Sequence, residues 1–228
     1  GRSIFEVAET AILRGLGYPR AYLDFETIST PVPECVGTHP YEQLPFQWSV
    51  HVEQSKDVVN HYECLQLEAF GDFAAQADAL IRAIPAVGPV IAYNAGFEAT
   101  VLKCLSRLVP TRRSELDSIA SRLLDLLPIT RNAYYHPDMR GHWSIKAVMP
   151  TICGSLAYDT LEEVAEGESA QRAFLELRSP GIVPERAAKL RNALLRYCRR
   201  DTWVMVVLLR FLCGAEIDGE NGLEEIER

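Results

Sequence analysis

Hydrophobic positions change period along the chain, and the changes divide it into blocks. Ile4 to Leu16 carries apolar residues at helical spacing and stops at Gly17, which predicts a lead-in helix within residues 1–19 closed by a C-terminal glycine. Arg20 to Ile28 is rich in aromatic and branched residues and predicts a strand. Pro31, Pro33, Pro40 and Pro45 then predict a loop, because proline cannot donate to a central ladder. Phe46–Val52 and Val58–Leu67 predict two more strands, with the polar Glu53–Asp57 stretch as their turn. Three successive strands joined by loops predict an antiparallel meander.

From Phe73 the period lengthens to that of a helix. Ala74, Ala77, Leu80, Ile81 and Ile84 form one face, and Pro85 and Gly88 close it. Pro89–Tyr93 predicts a short buried strand, Phe97–Leu108 an amphipathic helix, Glu115–Leu124 a further helix and Asp125–Leu127 a short strand. Arg131–Met149 holds turn residues and aromatics without a clear period, and Leu161–Leu177 and Pro184–Leu212 predict two closing helices. This order predicts an α/β domain: a mixed central sheet, antiparallel first and then parallel, flanked by helices. Its 228 residues, free of internal repeats, fit one domain, 1–228.

Composition narrows the function classes. A net charge of −8 argues against gripping nucleic acid by bulk electrostatics. It leaves open an enzyme that meets nucleic acid only in a cleft, where cations offset the local acids. The stretch 214–228 predicts a solvated acidic tail, and a first residue of Gly rather than Met predicts excision from a longer protein, whose other domains are candidate partners. Six cysteines form no Cys-x-x-Cys pair, which predicts reduced thiols in a cytoplasmic protein. With five scattered histidines, they argue against zinc. The longest apolar run, Trp203–Leu209, is too short to span a bilayer, and no signal peptide is visible.

Candidate chemistry sits at three places. Asp24 and Glu26 alternate on a predicted strand and so leave one face, with Leu23 and Phe25 on the other. On a central strand such a pair is costly unless a cation or a base meets it; on an edge strand the two are ordinary solvated acids, and both readings stand. Glu98 follows Asn94 at a strand-to-helix junction. There the helix dipole favours an acid, and there too α/β sheets build sites. Tyr197 and Asp201 share a face of the last helix, where Asp201 either pairs with Arg199 or Arg200 or meets a partner brought by the fold. Four acids converging in an apolar fold repel one another unless cations lie between them, and oxygen-only ligands favour Mg²⁺ or Mn²⁺. Asp125, before Leu126, Leu127 and Pro128, reads as a cap or turn residue.

In this order and spacing the motifs resemble those of the DEDD (DnaQ-like) superfamily of 3′–5′ exonucleases. More narrowly, the chain is similar to an uncharacterised bacterial domain family within it. Asp24, Glu26 and Thr27 match the first motif, D-x-E-T; Asn94, Phe97 and Glu98 match the second; Tyr197 and Asp201 match the third. Arg196 stands five before Asp201, where the histidine subtype carries His, so the tyrosine subtype is implied. The runs Pro45–Ser49 and Ser144–Lys146 also look like the narrower family.

The resemblance covers nearly the whole chain and implies a ribonuclease H-like three-layer domain. It implies Asp24, Glu26, Glu98 and Asp201 as ligands of two divalent cations, Mg²⁺ or Mn²⁺, and Tyr197 orienting a water for attack. The implied substrate is the 3′ end of single-stranded DNA or RNA, contacted by Thr27 and Asn94; Lys146, in a polar aromatic-rich loop with His142 and Trp143, reads either as a solvated surface lysine or as reaching a phosphate. One departure stands out: the second motif normally carries Asp, and Glu98 is one methylene longer. An acid holding metal through a water tolerates that change, whereas a direct ligand needs the backbone to move. Glu98 and the acidic surface motivate a rival expectation, a catalytically weak or inactive nucleic-acid-binding or partner module of the same fold. A ribonuclease H-like endonuclease or transposase is a second rival, opposed by the Tyr-x-x-x-Asp helix.

Overall fold

The architecture is set by one strand that is buried on both faces. In a computed structural model describing residues 3–68, 70–156, 163–164 and 166–217, the strands are β1 (Ile4–Phe5), β2 (Arg20–Ile28), β3 (Leu44–Ser55), β4 (Val58–Leu65), β5 (Val90–Ala92), β6 (Leu123–Asp125) and β7 (Tyr134–Tyr135). Five of them form a sheet in the order β4-β3-β2-β5-β6, so β2 lies in the middle. β3 and β4 join it antiparallel, and β5 and β6 extend it in parallel. This is the expected mixed α/β sheet with its meander first. The helices are α1 (Ala11–Arg14), α2 (Phe73–Ala83), α3 (Gly96–Leu108), α4 (Arg113–Ser121), α5 (Leu126–Ala133), α6 (Ile145–Ile152), α7 (Gly167–Leu177) and α8 (Pro184–Leu212), and they flank the sheet.

The two elements that matter most have the predicted bounds. β2 runs Arg20–Ile28 and α8 runs Pro184–Leu212, its proline at the first helical position, where no N–H is needed. Leu23 and Phe25 are buried on one face of β2, while Tyr22, Asp24 and Glu26 look toward α8. β3 begins two residues before the predicted Phe46. Its Pro45 lies at a bulge where β3 pairs with β2 but not yet with β4, so the missing N–H costs no ladder bond.

Other boundaries differ. The lead-in helix is broken into β1, a 3₁₀ turn over Val7–Thr10 and the four-residue α1, because Ile4 and Phe5 pair with Tyr135 and Tyr134 instead. A lone helix that short has little stability to set against a strand pairing. Residues Leu123–Asp125 form β6, where helix was expected for the first two, because they lie beside Val90, Ile91 and Ala92 in parallel register. Asp125 then caps α5 by accepting from the Leu127 N–H at 2.9 Å, so Leu126 and Leu127 are helical rather than extended. α6 begins within the stretch that showed no period and runs three residues past it. Of the predicted helix Leu161–Leu177, the part Gly167–Leu177 is α7, while 157–162 and 165 lie outside the described residues, as does 218–228 of the acidic tail. Among the described residues no helix is long and apolar enough to cross a membrane.

Candidate metal centre

The site is built where β2, β5 and α8 meet. Alternation on β2 sends Asp24 and Glu26 to the α8 side, and Asp201 comes from α8 itself. Carboxylate oxygens of these three lie within 4.8 Å of one another. β2 is central and Glu26 and Asp201 are buried, so the reading of ordinary solvated edge-strand acids does not hold. Tyr197, one turn before Asp201, is buried too, and its hydroxyl oxygen accepts from Lys146 Nζ at 2.9 Å. The same ammonium lies 4.8 Å from the Tyr197 ring centroid. α7 starts beside the pocket, since a Cβ on Gly167 would stand 3.9 Å from Glu26 Oε2.

Glu98 approaches from another element. β5 is parallel to β2, so its carboxyl end opens on the same edge of the sheet, and α3 begins there with Glu98 in its first turn. The turn is held by Asn94, which adopts a left-handed φ of 70° and donates its backbone N–H to Asp125 Oδ1 at 2.9 Å. Glu98 is buried, and its Oε2 has no hydrogen-bond partner. Its oxygens do not belong to the tight group formed by Asp24, Glu26 and Asp201.

Electrostatics follow from this packing. Burial, and then the charges of Asp201, Glu26 and Glu98, hold the Asp24 carboxyl well above the usual range. Glu26 is pushed up to about 8 by burial and then by Asp201, with Lys146 pulling the other way. Glu98 is also pushed up to about 8, by burial first, against a backbone hydrogen bond that lowers it, and further by Asp125 and Asp201. The Tyr197 phenol is raised far above its ordinary value by burial and then by Asp201, Glu26 and Asp24. Without a cation the pocket therefore keeps protons at neutral pH. Divalent ions would replace those protons, and the unpartnered Glu98 Oε2 gives a fourth oxygen for the task. An all-oxygen set of acids suits hard cations.

Each residue singled out in the sequence has a definite place. Asp24, Glu26, Asp201, Tyr197 and Lys146 come together. Glu98 acts on the same charges from α3, and Asp125 serves as a cap and turn holder. Thr27 is buried and donates its hydroxyl to Gln43 Oε1, while Asn94 is exposed at the rim. One neighbour escaped sequence reasoning: Cys198, fully buried, whose Sγ donates to Asp24 Oδ2 at 3.4 Å. Burial pushes that thiol well above its normal range, so it acts as a donor to Asp24 and not as a soft metal ligand. Its spacing, three before Asp201 on a helix, was the available signal.

Comparison with known proteins gives two similarities. The model of a family described as a domain of unknown function, DUF2779, matches residues 21–144, which include Asp24, Glu26 and Glu98. An uncharacterised protein of Mycoplasma genitalium, MG366, is 23% identical over 212 residues, covering 85% of this chain. The chain spans only 32% of that relative's length. No solved structure matches.

Proposed function

The chain belongs to the DUF2779 family, and from the acid pocket between β2 and α8 we propose that it is a divalent-cation-dependent 3′–5′ exonuclease. On this reading it is a ribonuclease H-like member of the DEDD superfamily, tyrosine subtype, acting on the 3′ ends of single-stranded DNA or RNA. The observation that carries the reading is the convergence of Asp24, Glu26 and Asp201 within 4.8 Å, in a buried pocket that also holds Tyr197. The six cysteines are all free thiols, which fits a cytoplasmic setting.

Asp24, Glu26 and Asp201 would hold two Mg²⁺ or Mn²⁺ ions, with Glu98 completing the acidic shell. Bound ions supply neutralisation of the acids and Lewis-acid activation for phosphodiester hydrolysis. Tyr197 keeps its proton at neutral pH, so it orients the attacking water by hydrogen bonding rather than deprotonating it. Lys146 donates to the phenol oxygen and thereby sets the direction of the phenol's own proton. Cys198 fixes the Asp24 carboxylate from below. A second reading, a catalytically weak or inactive binding module, is favoured by Glu98 standing where Asp is usual. Ion binding without turnover would mark it.

The test uses 3′-labelled single-stranded DNA and RNA with Mg²⁺, Mn²⁺ or EDTA, beside Asp24→Ala. The expected result is release of nucleoside 5′-monophosphates from the 3′ end, lost in EDTA and in the variant. Cleavage that survives either treatment sinks the assignment.

A further inference from the structure

Next to the acid pocket lies a cleft of the opposite charge. A cavity of about 560 Å³ is lined by Asn94, Arg131, His142, Trp143 and Lys146, together with small and apolar neighbours. No acid is among its lining residues, although the chain as a whole carries a net charge of −8. Trp143 is half-buried and firmly held: its indole N–H donates to the Tyr134 carbonyl at 3.3 Å, and its own carbonyl accepts from the Tyr93 hydroxyl. The exposed Arg131 guanidinium lies 5.4 Å from the Trp143 ring centroid. Lys146 belongs to both places, since it lines the cleft and donates to Tyr197 in the pocket.

We propose that this cleft seats one unpaired nucleotide of the substrate strand, its base against Trp143 and its phosphate against Arg131 and Lys146, and so selects single strands over paired ends. The proposal rests on the reading of the pocket as a nuclease centre. A fixed indole offers a stacking surface that any base can use; the exposed Arg131, which lies over it, can move aside to meet a backbone phosphate, and Lys146 lines the same cleft. A paired base reaches the indole only by leaving its stack, at a cost of a few kcal/mol.

Binding of fluorescein-labelled oligothymidylate to Asp24→Asn, which removes turnover, tests this, with affinities read by anisotropy. Trp48 and Trp203 are buried, so quenching of tryptophan emission reports on Trp143. Expected are quenching by the single strand, weak binding of a blunt hairpin, and affinity lowered about 10-fold or more when Trp143→Leu is added. Adding Arg131→Gln instead, at an exposed site that leaves folding intact, should flatten the salt dependence of binding. Affinity and salt dependence unchanged by both substitutions, or equal binding of hairpin and single strand, overturns the proposal. Cleavage by the unsubstituted protein with that result would remove the cleft and leave the nuclease reading. Binding through Trp143 and Arg131 without any cleavage would do the reverse.

Discussion

β2 and β3 lie side by side beneath α8, and each turns a row of polar side chains toward it. On β3 the row is Gln47, Ser49, His51 and Glu53, all buried, and α8 gives each of them a partner, with only the Gln47 Oε1 left without one. Gln47 Nε2 donates to the Leu194 carbonyl at 2.8 Å, Ser49 and His51 share the Thr202 hydroxyl at 2.8 and 2.7 Å, and Glu53 accepts from Arg210 Nε at 2.9 Å. On β2 the register sets Tyr22 beside His51, Asp24 beside Ser49 and Glu26 beside Gln47. Tyr22 donates to Glu53, but at Asp24 and Glu26 the helix brings another acid, Asp201. Where the seam is structural, α8 carries complementary groups. Where it carries like charge, the fold has kept a destabilising cluster, as the proposed ion site requires.

The sharpest way to break this contrast is to neutralise one acid from each row. Glu53→Gln leaves Arg20 and Arg210 facing a neutral amide in the buried seam and should cost about 3–5 kcal/mol, read by chemical denaturation. Asp24→Asn relieves repulsion and should instead stabilise the cation-free protein by about 1 kcal/mol while abolishing turnover. Equal destabilisation by both would erase the distinction.

The pH dependence of the cation-free protein is the next effect. Glu26 and Glu98 titrate near pH 8 when folded, against an ordinary value of 4.5. The folded state therefore binds more protons than the unfolded chain between those limits, so this contribution to stability is present below pH 4.5 and is lost as pH rises through about 8. Melting in EDTA should weaken progressively across that window, each kcal/mol lost lowering Tm by roughly 2–4 °C. Mn²⁺ competes with the protons, so its stabilisation should grow with pH; a Tm flat in EDTA would count against buried like charges.

Two smaller effects probe the rim of the pocket. Lys146→Met removes the donor to Tyr197 and the cation that offsets burial at Glu26, and should lower turnover by about 10- to 100-fold with folding preserved. Glu98→Gln should weaken ion affinity by about 10-fold. No change in isothermal titration with that variant would place Glu98 outside the ion shell.

Long, strongly patterned elements were legible in the sequence. β2 and α8 have the predicted ends because a run of aromatic and branched residues set between Pro19 and Pro31 and a long periodic helix leave little choice of boundary. β6 was not, since a strand of three residues is decided by the neighbour it pairs with, and α6, with Pro150 inside it, has too weak a local signal. The acids themselves were readable as a pattern, and the convergence of Asp24, Glu26 and Asp201 was expected from it. The Lys146 bond to Tyr197 across 51 positions and the Cys198 bond to Asp24 across 174 were not readable. Those contacts exist only once α8 lies on the sheet.

Anomalous scattering from a crystal soaked in Mn²⁺ near pH 8 tests the metal centre most directly. Two peaks bounded by Asp24, Glu26 and Asp201, with Glu98 oxygens in or one water from the coordination shell, are predicted. Their absence at full soaking, or peaks only at surface acids, would contradict it.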